Sequence, residues 1–165
     1  MSDTNRTASS LDSVHNRCLA GVASVLTMLN LDEIGDQIEQ GEMQPSERNA
    51  KFPCIFVTPD GDPEVIEDDM TTFETDATAY PVNVLLADHS SQRDADRVPA
   101  YTGWRRQCMR EFRKLVKLPG VNECYNITVA PKAVFDPSVP KYQYVVSGFQ
   151  VQCHCEEARK GRERR

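Results

Sequence analysis

The chain has 165 residues, of which 39% are hydrophobic and 27% charged, and its formal net charge is −6. A chain of this length can bury a core without disulfide or metal staples, and its composition is that of a globular protein rather than a fibrous or disordered one. No apolar run approaches the length of a membrane span, and the first residues lack the apolar segment of a secretory signal. We therefore expect a cytosolic location and no membrane partner.

The N-terminal third predicts one helix followed by a loop. Residues 1–10 are polar and are expected to be flexible. The helix is predicted from apolar residues at spacings of three and four, which share one face: Val14, Cys18, Val22, Val25 and Leu29. Ser13 or Asp12 is the candidate N-cap. Ile34 and Ile38 either extend this helix or form a further short turn, and an acidic loop near 39–50 follows.

The rest of the chain predicts four strands and a second helix. Strands are expected in KFPCIFVTP and, after an acidic loop near 59–71, in TTFETDATAYPVNVLLAD. Pro81 within the long strand predicts a bulge or an edge position. The second helix is predicted from about Pro99 to Leu118, and Gly120 is its candidate cap. Two final strands are expected in CYNITVAPKAVFD and YQYVVSGFQVQCHCEEA.

These elements predict an α+β fold with the order α-β-β-α-β-β. Two helices would pack on a mostly antiparallel sheet. The prediction is a single domain over residues 11–157, followed by a basic C-terminal tail at 158–165.

The motif Cys153-His154-Cys155 stands in the last predicted strand. Alternation along a strand places Val145, Phe149, Val151, Cys153 and Cys155 on one face, and Gln150, Gln152 and His154 on the other. The apolar set would face the core, so the triplet cannot supply three convergent zinc ligands. A site that combines the two cysteines with Cys54 or Cys124 stays open as an alternative. For all six cysteines we expect buried, reduced thiols.

No catalytic constellation is readable in the sequence. The three histidines have no evident nucleophile as a partner, and a glycine-rich phosphate loop is absent. The acidic stretch PDGDPEVIEDD departs from the calcium-loop pattern, because a glycine stands between its first two acids and a proline follows. We expect no enzymatic activity, no metal and no cofactor.

Charge is segregated along the chain, and the segregated residues are the candidate contact sites. The acidic candidates are Asp60, Asp62, Glu64, Glu67, Asp68 and Asp69. The basic candidates are Arg105, Arg106, Arg110, Arg113, Lys114 and Lys117 in the second helix, and Arg159, Lys160, Arg162, Arg164 and Arg165 in the tail. This pattern favours head-to-tail contact between copies or contact with an asymmetric partner. Ordinary solvated surface is the alternative.

The order and length of the elements resemble those of small tail-terminator and neck (head–tail joining) proteins of tailed bacteriophages. The resembling elements cover most of residues 11–157: VHNRCLAGVASVLTMLN, FPCIFVTP, FETDATAYPVNVLLAD, YTGWRRQCMREFRKLVKL and the final pair of strands. The resemblance implies a structural protein that forms rings, commonly sixfold, on the tail tube or between tail and connector. Its implied partners are copies of itself, the tail tube protein and connector or neck proteins. It would be located in the virion, after assembly in the host cytoplasm.

Two alternatives from other classes stay open. The first is a nucleic-acid-binding accessory protein that uses the basic helix 101–118 and the C-terminal tail. The sequence pI of about 5.1 disfavours it, and the helix aromatics fall on the apolar stripe. The second is a small metal-binding protein that uses the cysteines.

Overall fold

The computed structural model describes residues 13–40, 53–61, 64–65, 75–89, 98–132 and 144–158. Two helices and six strands lie in these ranges. In chain order they are α1 (Val14–Leu29), β1 (Ile38–Gln40), β2 (Cys54–Pro59), β3 (Glu64–Val65), β4 (Thr75–His89), α2 (Val98–Lys114), β5 (Cys124–Lys132) and β6 (Tyr144–Ala158). None of the helical segments in this part of the chain combines the length and hydropathy that a membrane crossing requires.

The fold class is α+β, and the sheet is mixed. Its strands run in the order β1-β2-β4-β6-β5, and the two-residue β3 pairs with β4. The pair β1–β2 is parallel, and the other pairs are antiparallel. The predicted order α-β-β-α-β-β is incomplete, because β1 adds a strand before β2 and the two-residue β3 adds another between β2 and β4. The three residues of β1 are too few to show a period of two, and Ile38 begins this strand rather than a further helical turn.

Both helices bury their apolar faces in one core on the same face of the sheet. The helical contribution comes from residues such as Val22 and Leu26 of α1 and Phe112 of α2. The strands contribute their alternate residues, among them Val82 and Val84 of β4 and the inward-facing residues of β6. A small second cluster of Cys54, Phe56 and Ala87 lies on the other face. The helix layer therefore covers one face of the sheet, and polar side chains line much of the face opposite.

Helix α1 is fixed at its start and against β5. The Ser13 hydroxyl accepts a hydrogen bond from the Asn16 N–H at 3.2 Å, which confirms it as the N-cap. Asn30 ends the helix in a left-handed conformation with φ of 46°. The Arg17 guanidinium donates two hydrogen bonds, of 2.8 and 2.7 Å, to the Glu123 carboxylate just before β5. These bonds lower the pKa of Glu123.

Pro81 stands in the middle of the central strand, so the predicted bulge or edge position is wrong. The register of β4 and β6 runs without a break, and Pro81 lies opposite Gln152. A proline can occupy this place because β2 ends beside it, so no strand residue requires its missing N–H. Its carbonyl oxygen accepts a hydrogen bond from the Asp60 N–H at 3.1 Å, and His15 Nε2 lies 3.0 Å from the same oxygen.

Helix α2 ends at Lys114, four residues before the predicted end. The Leu115 N–H bonds to the Phe112 carbonyl, which tightens the last turn. The apolar period continues to Leu118 because the chain still runs along the core, where Leu118 is buried outside the helix. Gly120, with φ of 74°, belongs to the turn that leads into β5 rather than to the helix end.

Strand β5 is the last strand of the sheet as far as the chain is described. In antiparallel pairs the backbone bonding groups of successive residues point alternately to the two sides. Pro81 has no N–H to donate to its partner Gln152, so the backbone N–H and carbonyl of Gln152 face β5. By the alternation, the same groups of Phe149, three residues earlier, face β4. Pro131 lies opposite Phe149. Its nitrogen therefore faces away from β6, the orientation in which an edge strand tolerates proline.

Candidate interaction site

The basic residues of α2 lie together on the side of the helix that faces away from the core. Trp104, Cys108 and Phe112 are buried at spacings of four, which orients the helix and leaves the cations outside. Arg105 is half-buried, whereas the other five cations are exposed: Arg106, Arg110, Arg113, Lys114 and Lys117. The structure thus brings the five basic candidates of α2 onto the outer side of the helix, and Lys117 follows in the segment beyond its end.

An open groove of about 570 Å³ runs along this basic face. It is lined by Thr102, Arg105, Arg106, Met109, Arg110, Arg113 and Lys114. Arg113 and Lys114 lie in the last turn, where cations interact favourably with the helix dipole. Glu111 is the acid that lies beside these cations. Its charge is compensated, because Lys114 Nζ donates to Glu111 Oε1 at 2.8 Å. The groove therefore presents mainly guanidinium groups to an anionic partner.

Asp60, the acidic candidate whose side chain is described, lies on the opposite face of the sheet. Its Oδ2 accepts hydrogen bonds from Lys132 Nζ at 2.8 Å and from Gln150 Nε2 at 2.6 Å. Lys132 Nζ also donates to Asn83 Oδ1 at 3.1 Å. Partial burial works against ionisation of Asp60, but its hydrogen bonds and the Lys132 charge outweigh that effect and lower the pKa of the carboxyl. Asp60 is thus already paired within its own chain.

The remaining candidates are not brought together in the described part of the chain. Glu64 is the first residue of β3, where its backbone pairs with Ala79. Nine candidates lie outside the described ranges: Asp62, Glu67, Asp68, Asp69, Arg159, Lys160, Arg162, Arg164 and Arg165. Residues 1–10 also lie outside these ranges, and of the predicted tail only Ala158 is described, as the end of β6.

Four buried cysteines lie between α1 and the strands β5 and β6. Cys153 and Cys155 face the core, as the alternation predicted, and the Cys155 sulfur lies 4.0 Å from that of Cys18. His154 points the other way, and its Nε2 lies 3.1 Å from Thr128 Oγ1. Over the described ranges, no three His, Cys, Asp or Glu side chains form a group that could hold a metal ion. These thiols belong to the hydrophobic core.

The burial of the cysteines predicts that native thiols do not react with thiol reagents. All six are free and buried, and burial raises the pKa of Cys54 and of Cys108 to about 12. Contact with Cys153 and burial also raise the pKa of Cys18. Because the thiolate is the reactive form, Ellman's reagent at pH 8 should show no fast-reacting thiol in the native protein and all six after unfolding in guanidinium. A stoichiometric fast phase from folded protein would contradict this burial.

Sequence reasoning missed the polar network on the outer face of the sheet. Alternation correctly placed Gln150 and Gln152 on that face, and Gln152 Nε2 donates to Gln150 Oε1 at 3.3 Å. Lys132 and Asn83 were not identified, because their contact with Asp60 depends on the register of three strands. The signal in the sequence is weak: each is a single polar residue on the outward-facing side of a strand.

Comparison with known proteins assigns this chain to no family. The chain matches no protein-family model, and the search of curated proteins finds none with significant similarity.

Proposed function

We propose that this chain is a structural protein of tailed-bacteriophage assembly, a ring-forming tail terminator or neck component that caps the tail tube and joins it to the head. The observation that carries the proposal is the position of its charges. The basic face of α2 lies on the outer side of the helix layer, whereas Asp60, at the start of the acidic stretch 59–71, lies on the opposite face of the sheet.

A basic face on one side of a subunit, with an acidic stretch that begins on the other side, suits a heterologous contact. In such a contact each copy offers one side to the next copy, and the series closes into a ring when the rotation per copy divides a full turn. An isologous dimer formed through the basic face would instead bring two basic faces together, which like-charge repulsion opposes. The α+β fold class also supports the proposal.

Binding of nucleic acid through the same basic face is the second candidate. The guanidinium groups of Arg106, Arg110 and Arg113 could pair with phosphates. Of the aromatic residues of α2 whose side chains are described, Trp104 and Phe112, both are buried in the core and cannot stack on bases. The described side chains of this surface therefore offer phosphate contacts without a stacking platform, and a protein partner fits it better.

Charge reversal on the basic face tests the proposal. The double substitution Arg110→Glu and Arg113→Glu should weaken assembly by about tenfold or more, because both side chains are exposed and face the groove. The measurement is light scattering against protein concentration, with negative-stain imaging of the assembled species. Wild-type association should also weaken as salt rises.

The matched control adds negative charge elsewhere on the helix layer. Ala20→Glu with Ser24→Glu changes two exposed positions of α1 and should leave assembly intact. All variants should keep the thermal midpoint of the wild type within a few degrees, because each changed side chain is exposed. Undiminished rings from the double reversal would contradict the proposed role of this face, and a salt-sensitive shift of duplex DNA would favour the second candidate.

A further inference from the structure

An apolar groove lies beside the basic face, at the end of the helix layer. It has a volume of about 460 Å³ and runs between the last turns of α1 and the segment that follows α2. Its apolar lining consists of Val25, Met28, Leu29, Leu115, Leu118 and Pro119. Met28 is 73% exposed and Val116, next to this lining, is 64% exposed. They are the most exposed large hydrophobic side chains of the described chain.

The groove is a surface feature rather than a defect of the core. Leu29 and Leu115 pack against the core from its rim, and Leu118 is buried. The helix layer is thus complete beneath the groove, and nothing in the core requires Met28 or Val116 to be apolar. Clustered exposed hydrophobic residues with a polar rim are typical of protein interaction sites.

The rim of the groove is continuous with the basic face. Glu111 and Lys117 line the apolar groove, and Lys114, the ion-pair partner of Glu111, lines the basic groove. The two grooves therefore form one surface with an apolar centre and an arginine-rich flank. Protein interfaces have this anatomy, and they are enriched in methionine and arginine.

The charge of the chain favours a second copy as the occupant. Besides Asp60, which pairs with Lys132, the stretch 59–71 carries five acids and no lysine or arginine, which complements the basic flank. It begins at Asp60, on the face of the sheet opposite the basic flank. A nucleic acid would satisfy the cations but leave Met28 and Val116 uncovered, because aliphatic side chains give bases no stacking surface.

We propose that the groove around Met28 and Val116 is the apolar centre of a heterologous contact with a second copy of this chain, whose acidic stretch pairs with the basic flank. The inference rests on the proposed function, because it names the subunit contact that would build the ring. It predicts that the apolar centre contributes to association independently of the charges.

Neutral substitutions separate the apolar centre from the charged flank. Met28→Gln with Val116→Gln keeps every charge and alters only exposed side chains. We expect association of the full chain to weaken by about tenfold or more, because buried apolar area is replaced by amides. The matched control is Ala20→Gln, an exposed position of α1 outside the groove, which should assemble like the wild type.

A label at Met28 gives a second readout. The native cysteines are buried, so Met28→Cys introduces a uniquely accessible thiol for an environment-sensitive maleimide dye. The dye should report transfer to a less polar environment as protein concentration rises. If the dye reported the same transfer when duplex DNA was added to dilute monomer, the proposal that a second copy occupies the groove would be overturned.

The outcomes distinguish this inference from the proposed function. If the wild type forms rings and the Met28→Gln, Val116→Gln variant forms them equally well, the inference is wrong and the proposed function stands. If the wild type stays monomeric at every concentration, the inference is also wrong, since its occupant is a second copy. In that case the proposed function is tested separately, by adding the chain to purified tail tubes and imaging their ends.

Discussion

Replacement of Phe149 by alanine is expected to lower the free energy of unfolding by about 3–5 kcal/mol. Phe149 is fully buried at the centre of β6, where it faces the helix layer. Its ring packs against that of Phe112, with 6.0 Å between ring centroids and an angle of 53° between the planes. The substitution removes this contact and leaves a cavity that the surrounding strands cannot fill.

Urea denaturation measures the effect, and two further variants show where it comes from. Phe149→Leu keeps most of the volume and should cost less than about 1.5 kcal/mol. A double-mutant cycle with Phe112→Ala should give a coupling of about 0.5–1.5 kcal/mol for the ring pair. If Phe149→Ala cost no more than Phe149→Leu, the central packing of this ring would be refuted.

Substitution of Gly21 by leucine should destabilise the protein by about 3 kcal/mol. Gly21 lies within α1, where glycine is unfavourable by about 0.5–1 kcal/mol relative to alanine. The backbone after α2 approaches it closely: a Cβ atom at position 21 would lie 3.0 Å from the Pro119 carbonyl oxygen and 3.2 Å from Leu118 Cβ. Leucine is a strong helix former, so a loss of stability would come from this steric conflict rather than from helix propensity.

Gly103→Leu is the matched control for the close approach at Gly21. Gly103 also lies in a helix, but it is exposed, and a Cβ atom there would have no neighbour within 4 Å. The same substitution should therefore be neutral or stabilise by about 0.5–1 kcal/mol. Thermal and urea unfolding of the two variants would settle the comparison, and similar effects at both positions would contradict the contact between α1 and residues 118–119.

Elements with a strong apolar period could be predicted from the sequence. The spacing from Val14 to Leu29 gives α1, although Ile34 and Ile38 left its end open, and alternation in β6 gives the correct faces for Cys153, His154 and Cys155. Elements that depend on tertiary context could not. Ile38 is the one apolar residue of β1, and it forms a strand because β2 lies beside it.

The basic face of α2 could be predicted from the sequence, whereas the contacts of Asp60 on the opposite face of the sheet could not. Helical periodicity places Arg106, Arg110 and Arg113 outside the core, because these positions follow from the buried face of the same helix. The pairing of Asp60 with Lys132 joins residues 72 positions apart in the chain. It depends on the registers of β4, β5 and β6, which no local pattern in the sequence encodes.

Pro131, on the outer side of the last strand of the described sheet, bears on how an assembly of copies of this chain would grow. Addition of strands to β5 would extend the sheet without limit, which is the route to fibrils. Pro131, the next-to-last residue of β5, offers no N–H on that edge, so a strand added along β5 would lose a hydrogen bond near one end. An assembly that grows through contacts of the helix layer does not add strands to a sheet, and it can end when the copies close into a ring. The edge proline would thus favour a finite particle over a filament.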